Sequence, residues 1–307
     1  MSETTNQDLN GVAETLLMTL YIRAMESQRP DALIKDEKAE ELVKRLGYDF
    51  DRVRRIPMSD ANRLVIILRN REFDRYARDF LAHHPNAVVV HIGCGLDARF
   101  ERVCSEQPDH GQVEWYDLDF PHVIELRRKL IGEEGERYHL LGCSVLDDVW
   151  LKAVSSHRPR PFLFLAEGVF MYFQEAQVKS LVLMLRDHFP GAELVFDCYS
   201  PTHVWVHNLQ ISMLGHVAAT HWGIWHGQKL EGWGSASPAG NGTLAPHEAQ
   251  RSAGVRLLDE WGMFDRPEPR LAPHRWLRQI DRLFRTLRIY HFQLGGAEDD
   301  LGNSGRG

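Results

Sequence analysis

Five short apolar runs, each followed closely by glycine or an acidic residue, constrain this chain more than any other feature. They are Ala87–Ile92 (AVVVHI), Val113–Leu118, Tyr138–Leu141, Phe162–Ala166 and Ala192–Phe196. Each is too short for a globular helix and lacks an apolar–polar alternation, the pattern of a strand buried on both faces. Helical spacing lies between them, at Pro121–Ile131, near Val149–Ser156 and at Glu175–Phe189. Pro121 suits the first turn of its helix, where a missing N–H costs nothing. Strand and helix in alternation predict an α/β fold with a doubly wound, mostly parallel sheet and right-handed crossovers. With 307 residues, 43% of them hydrophobic, the chain can bury a core of that size.

The rest of the chain is organised around this region. Residues 11–28 place Val12, Leu16, Leu17, Leu20, Tyr21, Ala24 and Met25 on one helical face. Ala32–Leu46 reads as a second amphipathic helix. Arg63–Leu81 reads as a third, with Phe73, Tyr76, Ala77 and Phe80 at three- and four-residue spacing. The predicted organisation is a helical N-terminal cap over 1–84, an α/β core over 85–198 and a lid or insertion over 199–254. The final strands then fall within 255–294 (Val255–Leu258 and Ile289–Leu294), before a disordered tail over 295–307.

Net charge is -7, with both signs interspersed, which argues against a nucleic-acid partner. The polar start MSETTNQDLN lacks the order of a signal peptide, and no apolar stretch approaches the ~18 residues of a membrane helix. Cys94, Cys104, Cys143 and Cys198 have neither disulfide nor metal spacing. A reduced, cytoplasmic protein without a membrane partner is expected; oligomeric state is not written in the sequence.

In open α/β sheets ligands bind beyond the carboxyl ends of the strands, so the chemistry is sought there. The first strand ends in HIGCGLDAR (His91–Arg99), the second in YDLDF (Tyr116–Phe120), the third in LLGCSVLDD (Leu140–Asp148) and the fourth in LAEGVFMY (Leu165–Tyr172). Gly93 and Gly95 allow a tight turn and close approach of a ligand. Asp119 is placed to hold a ribose diol. Gly93-x-Gly95-x-x-Ala98 also satisfies the dinucleotide fingerprint, a weak signal by itself. Asp97 inside that loop opposes a pyrophosphate, whereas Asp97 and Glu167 suit a cation; a nicotinamide oxidoreductase is therefore disfavoured against an S-adenosylmethionine enzyme. The blander reading of Asp97 is a turn former, and that of the cysteines is packing.

These residues resemble the leucine carboxyl methyltransferase family, particularly its bacterial polyketide-type (tetracenomycin-like) O-methyltransferases. The resemblance covers about residues 11–294 and rests on ETLLMTLYIRAMESQRPDALIKDEKAEELV, LRNREFDRYARDFL, GCGLDARFERV, WYDLDFPHVIELRRKL, the DDVW segment and LAEGVFMYF. It implies a class I methyltransferase-like fold and S-adenosyl-L-methionine as cofactor, S-adenosyl-L-homocysteine being the product. By the same resemblance Arg69 pairs with the methionine carboxylate, Gly93 and Gly95 shape the loop, Asp119 binds ribose and Glu167 lies beside the amino group and sulfonium. Cys94, Asp97, Leu118, Phe120, Val145 and Gly168 complete the expected cofactor set. Many relatives have Asp-Leu where this chain has Ser144-Val145, so a neutral hydroxyl stands where a carboxylate accepts from adenine.

The resemblance implies a small acceptor methylated on a carboxylate, with a phenolic hydroxyl the lesser alternative. A carboxylate of pKa ~4 is ionised at neutral pH, whereas a phenol at ~10 needs help to ionise. A clamp rather than a base is therefore expected, from Arg23, Tyr172 or His203, with Tyr21, Tyr199, Trp222 and Trp225 lining the acceptor pocket. The His- and Trp-rich segment 203–233 reads equally as pocket wall and as packing. His203 and His207 stand four apart, but no Cys, Asp or Glu follows at ligand spacing, so a metal is not expected. A protein C-terminal carboxylate as acceptor, and a cofactor-binding module without turnover, are the remaining alternatives.

Overall fold

The computed structural model describes residues 14–46, 48, 50–51, 58–104, 112–132, 134–214, 219–234 and 254–295. Within these, a seven-stranded sheet is built from β1 (Val88–Ile92), β2 (Glu114–Asp119), β3 (Tyr138–Gly142), β4 (Phe162–Ala166), β5 (Ala192–Tyr199), β6 (Val255–Trp261) and β7 (Leu287–Leu294). The spatial order is β3-β2-β1-β4-β5-β7-β6. The first five strands run parallel, and β7 is antiparallel to both β5 and β6. β1 pairs with β2 on one side and β4 on the other, so the order reverses there. Ile92 lies opposite Leu118 and Ala166 at that switch point.

Every residue of β1 and β4 is buried, which is why both read as unbroken apolar runs. Val88 and Val90 point into one core with Phe164, Phe196 and Tyr290; Val89 points into the other with Trp115, Leu163 and Phe73. Each such side chain contributes roughly 1.5–3 kcal/mol on leaving water.

The helices are α1 (Glu14–Ser27), α2 (Glu37–Arg45), α3 (Asp60–His83), α4 (Arg99–Cys104), α5 (Pro121–Leu130), α6 (Val149–Ser155), α7 (Glu175–His188), α8 (Pro201–Leu214) and α9 (Leu277–Phe284). Where the sequence predicts helix from Ala32, α2 begins only at Glu37, because Asp36 caps it by accepting from the Ala39 amide at 2.9 Å. β5 runs three residues further than expected, α4 and α9 were not anticipated, and α8 occupies the start of the expected lid. Residues 11–13 of the first predicted helix, 215–218 and 235–253 of the lid, and 296–307 of the tail lie outside the described residues. No described helix is long and apolar enough to cross a membrane.

Two placements matter for the site. Leu17, Leu20 and Leu42 of the cap pack on Leu96 of the glycine loop and on Leu126 and Leu130 of α5, so the cap lies over that loop. Residues 219–234 return to the sheet's carboxyl end, where the His221 and Trp222 amides donate to Met171 O and the Ile224 amide donates to Tyr199 O.

Candidate functional site

The loop after β1 is shaped by two left-handed glycines, Gly93 at φ +66 and Gly95 at φ +51. A Cβ on Gly93 would stand 2.4 Å from Val169 Cγ2, and one on Gly95 2.6 Å from Leu16 Cδ2 of the cap. The Gly93 amide donates to Leu118 O at 2.7 Å, and Gly95 N donates to Asp119 Oδ2 at 2.8 Å. Phe120 N donates to the other Asp119 oxygen at 2.7 Å. Burial pushes the Asp119 carboxyl up while these amides pull it down. The Cys94 and Asp97 amides are also engaged, with Leu118 O and Cys94 O. The loop thus presents a half-buried acid rather than a cradle of free amides, which a pyrophosphate would require.

A charged network underlies the loop. Arg127 of α5 donates to Gly95 O at 2.8 Å and Asp97 O at 2.9 Å, and pairs with Asp117 of β2. Trp115 Nε1 and the Tyr138 hydroxyl also donate to Asp117. Burial acts against ionised Asp117, but Arg127, with help from His91 and Tyr138, brings its carboxyl down to about 2. His91 sits between Asp117 Oδ1 and Arg99 Nη1, each at 3.2 Å. Arginine only donates, so His91 accepts at Nε2 and donates from Nδ1, which defines a neutral tautomer.

The acids at the strand ends meet four arginines. Glu167, just past β4, accepts from Arg69 Nε at 2.9 Å, Asn70 Nδ2 at 2.9 Å and Arg99 Nη2 at 2.5 Å. Asp197 of β5 accepts from Arg69 Nη1 at 3.0 Å and from the Gly168 amide at 2.5 Å. Asp97 meets Arg102 at 2.5 Å, Arg99 at 3.1 Å and Arg23 at 3.7 Å. Burial opposes its charge, but Arg102, Arg99 and Arg23 hold its carboxyl well below the usual range. Glu167 is lowered in the same way by Arg69 and Arg99 against the effect of burial. At Asp197 burial outweighs Arg69, and the carboxyl is raised.

The candidate residues divide by position. Arg69, Gly93, Gly95, Asp119, Glu167 and Gly168 converge on the β1–β4 switch point. Leu118 is buried and contributes its carbonyl, while Cys94 and Val145 are buried packing residues. Phe120 (54% exposed) and Leu146 (39%) present apolar surface immediately past β2 and β3. Ser144 Oγ accepts from Leu146 N at 3.2 Å, closing the turn after β3. Tyr172 and Tyr199 both fall within the electrostatic reach of Arg69. Burial raises the Tyr172 phenol and pushes Tyr199 up to about 12. His203 and His207 of α8 lie against Tyr199, with ring centroids 4.6 and 5.6 Å away.

Three expected acceptor residues stand elsewhere. Arg23 is 3% exposed and spends its guanidinium on Asp36 at 2.9 Å and Leu96 O at 2.8 Å, fastening α1 to the glycine loop instead of meeting an acceptor. Tyr21 stacks on Phe50 within the cap at 5.3 Å. Trp222 is 2% exposed, packed against Phe196 and Trp233 in the core, so packing is its role. Trp225 is 39% exposed.

Residues 16–185, more than half of the chain, match the model of the family described as leucine carboxyl methyltransferase. The chain belongs to the leucine carboxyl methyltransferase family. It is 36% identical to the tetracenomycin polyketide synthesis O-methyltransferase of Streptomyces glaucescens over 84% of this chain and 86% of that one. It is 33% identical to an S-adenosyl-L-methionine-dependent methyltransferase of Gibberella zeae over 62% of this chain and 66% of that one. A solved structure from Streptomyces avermitilis shares the fold at TM-score 0.55 and 13% identity, covering 93% of this chain and 99% of that chain. The sheet of this leucine carboxyl methyltransferase family member is accordingly class I methyltransferase-like, as the sequence predicts. Asp197, Arg99 and Asn70 escaped the sequence reading of the site. The available signal for Asp197 was a lone acid interrupting the apolar run LVFDCY.

Proposed function

We propose that this chain is an S-adenosylmethionine-dependent O-methyltransferase acting on a carboxylate of a small acceptor. The observation that carries the reading is Arg69, held between Glu167 and Asp197 across the switch point from the Asp119–Gly95 contact. A ligand with an amino-acid tail, a ribose and an adenine needs a cation, acids and an apolar slot in that order. Arg69, Glu167 and Asp119 supply the cation and acids, and the exposed Phe120 and Leu146 beyond β2 and β3 supply apolar surface. When bound, the cofactor supplies an electrophilic methyl group on a sulfonium. The protein's share is positioning: Arg69 and Glu167 fix the tail, Asp119 fixes the ribose, and the cap over the glycine loop keeps water away.

The residues on the acceptor side favour a carboxylate over a phenol. Burial, with His207 adding to it, brings His203 down to about 4, so it is neutral and a weak base at pH 7. A base of that strength is poorly matched to a phenol of pKa ~10. The raised phenols of Tyr172 and Tyr199 stay protonated and can donate to an acceptor carboxylate, which needs no proton removed. The kinship to an enzyme named for tetracenomycin polyketide synthesis supports a small, polyketide-type acceptor. Calorimetric titration with S-adenosylmethionine and S-adenosylhomocysteine, with Asp119→Ala and NAD as controls, tests the cofactor. Intact-mass analysis of aromatic carboxylic acids incubated with the protein tests the reaction. Binding of NAD alone, or a mass gain of a methyl group only on phenols lacking a carboxyl, would refute the respective part.

A further inference from the structure

Arg69 reaches from α3 to the ends of β4 and β5, and its guanidinium lies beside Gly168. A Cβ at that glycine would be 3.7 Å from Nη1 and 3.8 Å from Nη2. Its two anchors are unequal. Glu167 is heavily shared: one oxygen takes Arg69 Nε and Asn70 Nδ2, and the other takes Arg99. Asp197 is completely buried, and the partners shown for its carboxylate are Arg69 Nη1 and the Gly168 amide. Nη2 makes no hydrogen bond to the described residues and is the nitrogen left for a ligand.

We propose that Asp197 is a positioning residue that keeps Arg69 aimed at a ligand carboxylate once Glu167 is engaged by the ligand's ammonium group. This rests on the function proposed above. An ammonium arriving at Glu167 competes with Arg69 Nε for the same oxygens, since a carboxylate offers only about four lone-pair sites. Three are taken already. Arg69 is a long side chain that carries ~2 kcal/mol of rotamer entropy, so losing its one stable anchor would let the fork swing. Asp197 prevents this from a strand, the most rigid support available, and its second oxygen fixes Gly168 beneath the guanidinium. The division of labour is that Glu167 meets the cation and Asp197 holds the cation-bearing arm for the anion.

The test uses two ligands that differ in the relevant group. S-adenosylhomocysteine carries the amino-acid tail; 5′-methylthioadenosine is the same nucleoside thioether without it. Both are titrated calorimetrically into the wild type, Asp197→Asn, Asp197→Ser, Arg69→Gln and the Arg69→Gln variant carrying each Asp197 change. Both Asp197 variants are expected to bind S-adenosylhomocysteine about tenfold more weakly, about the loss of one charge-assisted hydrogen bond. Methylthioadenosine affinity should stay within about twofold. In an Arg69→Gln background the Asp197 changes should add nothing further. Equal weakening of both ligands makes Asp197 a scaffold residue and overturns the proposal, as does no weakening of either. The asparagine variant keeps the shape of aspartate and an acceptor for Gly168 N–H, so it is the safer fold; loss of the folded state in both variants likewise assigns Asp197 to the scaffold. A wild type that binds neither ligand refutes the proposed function itself, and that outcome is distinct from the others.

Discussion

Replacing Arg99 with methionine removes the cation at the centre of the buried cluster while keeping a side chain of similar reach. Arg99 is fully buried. It donates to Asp74 at 2.8 Å and to His91 Nε2 at 3.2 Å, and pairs with Asp97 at 3.1 Å and Glu167 at 2.5 Å. No acid is left without a cation in the variant: Asp74 and Asp97 keep Arg102, and Glu167 keeps Arg69. The loss is therefore that of one buried partner, roughly 3–5 kcal/mol, rather than three times that figure. At ~2–4 °C per kcal/mol for large domains, the melting temperature should fall by roughly 6–20 °C. The effect must also depend on pH. Burial works against both charges, yet Arg102 with Arg99 holds Asp97 low, and Arg69 with Arg99 holds Glu167 low. Acids with depressed folded values stabilise fully above the ordinary carboxylate pKa of ~4, and lose that contribution as pH falls through the lower values. The unfolded chains titrate alike, so the wild-type advantage over the variant should be complete at pH 7 and shrink only as pH falls through the lowered folded-state values. Urea unfolding followed by far-ultraviolet circular dichroism at several pH values measures it. A gap under about 1 kcal/mol at pH 7, or one that widens as the solution is made more acidic, would refute the reasoning.

Other substitutions probe the ligand contacts separately. Asp119→Asn should weaken S-adenosylhomocysteine binding about 10- to 100-fold, because a neutral amide replaces the acid proposed to meet the ribose diol; isothermal titration reads this directly. Phe120→Ser should leave unfolding free energy within about 0.5 kcal/mol, since the ring is 54% exposed, yet weaken the same ligand several-fold. His203→Phe should keep kcat for a carboxylate acceptor within about threefold at pH 7–8. A fall of about 10²–10⁴-fold would instead give His203 the role of base and move the acceptor assignment to a hydroxyl.

The strands were legible because burial on both faces leaves an apolar run with no other reading, as in VVVHI and FLFLA. β5 was cut short because Asp197, Cys198 and Tyr199 do not look like buried strand. They continue it because β7 pairs alongside, Asp197 opposite Ile289 and Tyr199 opposite Leu287, a partner nearly a hundred residues away. The same remoteness hid the importance of Asp197, whose bond to Arg69 spans 128 residues. Residue type also says little about which way a side chain faces without a period to read. Arg23 and Trp222 have the right chemistry for an acceptor pocket, but the cap turns one onto Asp36 and the core takes the other.

Asp97 shows how a correct chemical instinct can misplace a contact. Its charge suggests direct attraction of a cationic ligand, yet Arg102, Arg99 and Arg23 already surround it. Its influence must be felt through the sum. Arg23, Arg69, Arg99 and Arg102 face Asp36, Asp74, Asp97, Glu167 and Asp197, four cations against five acids. The cluster is locally satisfied but one negative charge in excess, in an interior where screening is weak. A ligand with one net positive charge balances it; the same ligand stripped of that charge does not. S-adenosylmethionine, with an ammonium, a sulfonium and a carboxylate, is of the first kind, and S-adenosylhomocysteine is of the second. Titration with each ligand is therefore expected to show tighter binding of the charged one; equal or reversed affinities would refute this count of charges.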